Sequence, residues 1–527
     1  MQGIMKTSRK KPAPAPVYTS PNQLTLDCFQ TPFDQKLLKD NRWVVLADMI
    51  PWDEICGLYL KHVGISDTGR PPLSPRLVIG SIMIKHLCNL DDRETVDQIT
   101  ENMYMQYFLG YTSFTPYAPF DPSLFVEFRK RLGMDNLNAI NERIVTIKTR
   151  LESSKNDSSP KSDTTDQQDN KEGIEGYTSQ PENKGKVIFD ASVGPQDIAY
   201  PTDLDLLSDA REKTEELIDK LYHPALHEKK PRTYRKVARR RYLLTAKKRV
   251  KSNNEIRRAV GSQLRFVRRN LNSINKLLDA YPVFPLKHKD QKYLQVIYTL
   301  YDQQKQMHKN KQHKVEDRIV SIHQPHVRPM VRGKVQAKTE FGAKIHISFI
   351  DGFTFLDELS WDAFNEGSHM MDYVEKFRNR FGCYPRELLA DQIYCTRVNR
   401  AALKEKGIKL KAKPLGRPSA VPNHVSPGER NPVEGKFGQA KTAYGLDRIR
   451  ARLQNTSESW IASIILVLNL VKLAGVALHY LIVKWMVSFS ARWLTEFIKA
   501  FQQHILVEPE SALELAYSNR INKTNKV

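Results

Sequence analysis

Residues 343–359, AKIHISFIDGFTFLDEL, are the stretch on which the fold turns. Ile345, Ile347 and Phe349 recur at every second position, the period of a strand with one buried face. Asp351-Gly352 then supplies the two residues that tolerate left-handed backbone in a tight hairpin, before FTFLDEL returns. Residues 318–323 (RIVSIH) have the same texture upstream, so the spacing predicts an antiparallel meander. Downstream, residues 370–381 read as a helix and Glu387-Leu-Leu-Ala-Asp391 as a short apolar strand ending in an aspartate. Far upstream, Lys186-Val-Ile-Phe-Asp190 is another apolar run that ends in an aspartate, closed by a Gly194-Pro195 turn. Strand, meander, helix, strand and helix in this order predict an α/β layering, in which chemistry gathers at the carboxyl ends of strands.

Between the first strand and the meander, residues 204–316 turn helical and very basic. From Lys229 to Arg269 there are 17 Lys and Arg against one acidic residue, Glu255. Arg239, Arg240, Arg241, Lys247 and Lys248 lie in this run, with Tyr234, Tyr242 and Phe266 interleaved. Val260, Leu264, Val267, Leu271, Ile274 and Leu278 follow a coiled-coil spacing, and Pro282 and Pro285 separate them from a second helix over residues 292–307. The pattern predicts a helical hairpin with one packed and one cationic face. The run carries most of the excess of the whole 527-residue chain, whose 82 Lys and Arg against 59 Asp and Glu give a formal charge of +23. Such an imbalance points to a polyanionic partner, with nucleic acid foremost and no small-molecule substrate implied. Five scattered cysteines without a C-x-x-C pair imply neither a disulfide framework nor structural zinc, and fit a reducing cytoplasm. His308, His313, His323 and His326 have spacings that cross a helix end and a strand, so no zinc site is expected there.

The rest of the chain frames this centre. Residues 1–25 read as a disordered basic arm. Residues 26–151 read as a helical domain with helices over 77–90, 93–109 and 124–151. The turn-like Asp91-Asp92 between the first two leaves a DNA-binding helix-turn-helix and a plain packing domain both open. Residues 152–185 are polar and nearly free of large apolar groups, the composition of a flexible linker. Residues 186–507 then form the second domain, and 508–527 a tail. Residues 460–485 are apolar enough for a membrane span, but Asn469, Lys472 and His479 interrupt them. An ionisable group at a bilayer centre costs roughly 2.5 kcal/mol or more, so a buried core helix and no membrane are expected.

Residues 426–453, SPGERNPVEGKFGQAKTAYGLDRIRARL, read as a loop entering a basic helix, with Asn431 as N-cap and Pro432 at the first helical position. Glu434 then has two readings: a capping-box glutamate reaching back to the Asn431 amide, or a functional carboxylate. Asp190, Asp391 and Glu434 are hard oxygen donors of the kind that hold Mg²⁺ or Mn²⁺, and two such ions drive in-line phosphoryl displacement.

These stretches resemble the DDE transposases of bacterial insertion sequences, in the IS-five-like group. The likeness is carried by FDASVGPQDIAYPTDLDLL around Asp190, the IHQPH to AFNEG segment, LLADQIYCTRVNR around Asp391, KPLGRPS, and ERNPVEGKFGQAKTAYGLDRIRARL around Glu434. Of the family's Tyr-x2-Arg-x3-Glu-x6-Lys motif, Arg430, Glu434 and Lys441 are present and Pro427 replaces the tyrosine. The resemblance implies an RNase H-like mixed sheet with flanking helices, carrying the basic helical hairpin as an insertion after its first strand and preceded by a helical N-terminal domain. It implies that Asp190, Asp391 and Glu434 hold two Mg²⁺ or Mn²⁺ ions, and that Arg430 and Lys441 grip DNA. The activity implied is cleavage at the element's terminal repeats and strand transfer into target DNA by a homodimer in the bacterial cytoplasm. A non-catalytic DNA-binding descendant and a structure-specific nuclease of the same fold remain as alternatives.

Overall fold

A computed structural model describes residues 36–63, 72–156, 182–331, 339–412 and 427–473. The basic arm, linker residues 157–181, KPLGRPS and the tail lie outside the described residues.

Six strands are described: β1 (Lys186–Pro195), β2 (Arg328–Val331), β3 (Thr339–Ile350), β4 (Phe353–Ser360), β5 (Glu387–Leu389) and β6 (Lys409–Lys411). They form one mixed sheet in which β3 pairs antiparallel with β1, β2 and β4, while β5 runs parallel to β1 and to β6. The β3–β4 hairpin is the one the sequence predicts. Asp351 (φ 48°) and Gly352 (φ 86°) both adopt the left-handed backbone of its two-residue turn. The sheet is lined on one face by Phe189, His346 and Tyr373, the last from helix α11 (Met370–Phe381).

Two strand expectations are corrected. Residues 318–323 form no strand. Their apolar side chains Ile319 and Ile322 are buried in the helical core instead, and Gln303 takes the Ile319 N–H at 3.0 Å. Nor does the chain turn at Gly194-Pro195; β1 continues through both, opposite Ala343 and Gly342. The glycines there serve a close crossing of backbones, since a Cβ on Gly342 would fall 2.1 Å from the Gly194 carbonyl oxygen.

The insertion is larger than a hairpin. It comprises four helices, α7 (Asp203–Leu221), α8 (Arg235–Ala246), α9 (Asn253–Leu278) and α10 (His288–Asn310). The predicted seam of α9 is buried from Val260 to Ile274, with Leu277 rather than Leu278 completing it, against Leu204, Leu207, Leu217 and Ile218 of α7 and Leu294, Ile297 and Leu300 of α10. A two-helix reading missed α7 because its apolar stripe is interrupted by charges that find partners on folding. Lys220 pairs with Asp290 across to α10 at 2.9 Å, and Arg211 is buried with Glu215 at 2.6 Å. α8 buries only Ala238 and stands otherwise on the surface.

The N-terminal helices are α1 (Arg42–Met49), α2 (Trp52–Val63), α3 (Pro75–Leu87), α4 (Asp92–Glu101), α5 (Met103–Phe108) and α6 (Leu124–Asn156). Asp91 caps α4 by accepting from the amides of Arg93 and Glu94, which explains the break the sequence shows there. α3 is buried along its whole length, and the solvent face of α4 carries Arg93, Glu94, Asp97 and Glu101, a net negative surface. α6 is not one continuous helix: Gly133, at φ 63° and ψ 168°, breaks it into two.

The apolar helix α14 (Gln454–Leu473) is long and apolar enough to cross a membrane by length and composition alone, yet its residues from Trp460 to Asn469 are buried inside the protein. Asn469 explains that placement. Its amide donates to Thr354 O and to Asn141 Oδ1, both at 2.7 Å, and its oxygen accepts from Thr354 N–H at 2.8 Å. Trp460 lies under Lys85 and Arg129, which share Asp92. The N-terminal helices and the sheet therefore meet on α14. Two further helices, α12 (Arg397–Glu405) and α13 (Asn431–Tyr444), lie between β5 and α14 in the chain.

Candidate active site

β1 and β5 bring the first two carboxylates together. Their parallel register sets Ile188 opposite Leu389, so Asp190 and Asp391, each two residues further on, fall level with one another. On the β3 side Asp190 lies in mid-strand, paired with Ile347, rather than at a strand end as the sequence suggested. The sequence reading holds only on the β5 side, where the ladder stops at Leu389. Side chains alternate along β1, so Asp190 faces away from Phe189, toward α13. Asp391 begins a short 3₁₀ turn, accepting from the Gln392 amide at 2.7 Å. That turn is pinned by Asn399, which donates to Tyr394 O at 2.8 Å and to Gly367 O at 2.6 Å.

The opposite wall is the start of α13. The sequence reading placed the N-cap at Asn431. In the structure Arg430 occupies that position and no side chain caps the helix, so Glu434 lies one residue past the capping-box position and makes no such bond. Capping is thereby removed as the explanation of Glu434, whose side chain is exposed. The reason lies in what precedes the helix. Glu429 is held by Lys186 at 3.3 Å and Lys411 at 3.7 Å, at the start of β1 and the end of β6, and this fixes where Arg430 enters. The far end is fixed too: Gly445 (φ 74°) stops α13, and the chain returns to pair Ile449 with the end of β1.

Arg430 sits between the two aspartates. Its Nη1 is 3.3 Å from Asp391 and its Nη2 3.7 Å from Asp190. Burial pushes the Asp190 carboxyl up to about 6. Arg430 and the Ala191 amide pull it back, while Glu434 and Asp391 add to the rise. Glu434 is therefore close enough to be felt by Asp190, although it makes no ion pair with Arg430 among the described residues. Lys441 lies seven residues beyond Glu434 on the same face of α13, about 10 Å along its axis. Arg239, Arg240 and Arg241 are exposed on α8, and Lys247 and Lys248 follow its end, where Lys248 pairs with Glu255 at 2.6 Å.

Among the described residues no three of His, Cys, Asp and Glu stand close enough to hold a metal ion as a set. The donor chemistry nonetheless suits a hard cation: two carboxylates converge on one positive charge, and a third carboxylate perturbs one of them from the facing helix. Sequence reasoning missed Glu429, Lys186, Lys411 and Asn399. Nothing in their local sequence marks them, because their role depends on strands far away in the chain.

Comparison with known proteins gives the family. Residues 31–131 match a family described as Transposase domain (DUF772), and residues 388–471, which include Asp391, Arg430, Glu434 and Lys441, match the Transposase DDE domain. The chain is similar to an uncharacterized protein of Rhizobium meliloti, ORF8 in the nfe locus. The two are 31% identical over 180 residues, which cover 34% of this chain and 72% of that protein. No solved structure matches. The chain belongs to the DDE transposases of insertion sequences.

Proposed function

We propose that this chain is the transposase of an element of the IS-five-like group, which binds the terminal inverted repeats, cleaves DNA at the ends and transfers the strands into target DNA. The observation that carries the reading is the level placement of Asp190 and Asp391 on parallel strands, facing an α13 that begins Arg430-x3-Glu434. The order β4-β3-β1-β5-β6, an antiparallel meander joined to two parallel strands, supports an RNase H-like assignment for the sheet.

In this reading Asp190, Asp391 and Glu434 are the residues that would hold two divalent ions, Mg²⁺ or Mn²⁺. Such ions, when bound, activate an attacking water or 3′-hydroxyl and stabilise the leaving oxygen. The chain's own residues do the rest. Asp190 is stiffened by its place in mid-sheet and Asp391 by its bond to Gln392. Glu434 stands on a helix whose two ends are tied to β1. Lys441, on the same helical face, contacts the phosphate backbone beyond the cut. Arg430 contacts DNA once it leaves the aspartates. The acting form is a homodimer, because two transposon ends must be held together, and it works in the cytoplasm.

Glu434→Gln removes one charge without changing size. It should lower cleavage of a terminal-repeat duplex by about 10²–10³-fold, the order found when one group that stabilises transition-state charge is removed. Binding of that duplex should change by less than about threefold. Retained cleavage would remove Glu434 from the site. Equal cleavage of branched DNA without terminal repeats would favour a nuclease.

A further inference from the structure

The helical insertion carries a group of side chains that the active site does not use. Tyr234 precedes α8 with a left-handed backbone, φ 56° and ψ 24°, which costs a bulky residue on the order of 1 kcal/mol. Tyr234 held in that conformation is 38% exposed. Two guanidinium groups lie over it, Arg269 at 4.5 Å from its centre and Arg232 at 4.7 Å. Arg269 is also 5.7 Å from the buried ring of Phe266, over which Arg241 lies at 5.8 Å. Three arginines from the loop before α8, from α8 and from α9 are thus drawn onto two rings.

Their charges are uncompensated. The neighbouring Lys230 and Arg235 both pair with Asp219, at 2.8 and 2.9 Å. Among the described residues no carboxylate lies within ion-pair distance of Arg232, Arg241 or Arg269, although all three are exposed. Ring stacking limits a guanidinium's rotamers while leaving its donor edge free, so less entropy is lost when a phosphate binds. Phosphate esters match that fork geometry, and a row of them matches three arginines better than a single anion does.

We propose that Arg232, Arg241 and Arg269, set by Tyr234 and Phe266, form a pre-organised grip for successive phosphates of duplex DNA. The grip rests on the transposase reading and adds a site to it. Tyr234 acts as a positioning residue and the arginines bind the phosphates.

Tyr234→Gly gives a sharp test, because glycine adopts this backbone without strain. The melting temperature of the full chain should hold or rise, while affinity for a terminal-repeat duplex, read by fluorescence anisotropy, falls at least fivefold. Tyr234→Phe should bind as the unsubstituted chain does. Arg232→Gln with Arg269→Gln should lower the slope of log affinity against log salt by about 2. Unchanged affinity in Tyr234→Gly, or an unchanged slope in the double variant, would overturn the grip alone. Failure of the unsubstituted chain to bind any duplex would overturn the transposase reading with it.

Discussion

At the scale of single residues, Arg430 is the most informative side chain. A sequence motif can say that an arginine stands four residues before a glutamate, but not that its guanidinium lies between two aspartates separated by 201 positions of chain. In protein freed of divalent ions that placement relieves the repulsion between Asp190 and Asp391. Because Asp391 is well exposed, the relief is on the order of 1 kcal/mol or less. Arg430→Gln should therefore lower the metal-free melting temperature slightly, and added Mn²⁺ should raise the variant's melting temperature more than the unsubstituted protein's. Equal Mn²⁺ shifts in the two proteins would show that the guanidinium does not occupy the ion's place. A second buried group, Asp357, shows the opposite outcome for a carboxylate. Burial would raise it, yet Arg380 at 2.6 Å, His346 at 3.1 Å and Ser348 together hold it below the usual range. One aspartate is saturated with partners and structural; the other, Asp190, is left partly satisfied where chemistry is expected.

At the scale of elements, α14 does what its composition alone could not reveal. Apolar on nearly every side, it satisfies the test for a membrane span, and the deciding feature is one polar residue facing inward. Asn469 answers the Thr354 amide and the side-chain oxygen of Asn141, and shares the Thr354 carbonyl with the Asn141 amide, so two buried polar groups depend on it. Asn469→Leu strands them. It should cost roughly 2–5 kcal/mol, the range for buried polar groups left unpaired, measured by urea unfolding. Because Asn141 belongs to the same network, Asn141→Leu combined with it should cost clearly less than the sum of the two single substitutions. Additive costs would mean that the two amides do not share one network. The same logic of remote partners explains β1. Its run past Asp190 through Gly194 and Pro195 looks like a turn in isolation, and becomes a strand because β3 and Ile449 supply the pairing.

At the scale of the whole molecule, positive charge is concentrated rather than spread. α9 exposes Arg257, Arg258, Arg265, Arg268 and Arg269, while α8 exposes Arg239, Arg240 and Arg241. Glu212, Glu216 and Asp219 of α7 line the same cleft as Arg235, Lys236 and Arg239 of α8, and Asp219 pairs with Arg235 there. A concentration of one sign of charge on α8 and α9 attracts a polyanion. Exchanging Arg239, Arg240 and Arg241 for Glu should flatten the salt dependence of duplex binding by roughly 0.9 in slope for each phosphate that is no longer neutralised. An unchanged slope would take α8 out of the DNA path.

Much of this was legible in the residues. Two-residue alternation and Asp351-Gly352 determined the central hairpin, because turn chemistry and strand period are local properties. The 17 cations between Lys229 and Arg269 determined the need for a polyanion. Asp190, Asp391 and the Arg430, Glu434 and Lys441 spacing determined the family resemblance. Tertiary structure alone decided that residues 318–323 join a helical core, that α7 makes the insertion a four-helix unit, and that Glu434 is not a capping residue. It alone set Arg430 between the aspartates. These outcomes depend on partners far away in the chain, Ile319 on Gln303 and α13 on Lys186 and Pro195, and no local pattern encodes which distant group will arrive to complete a buried bond.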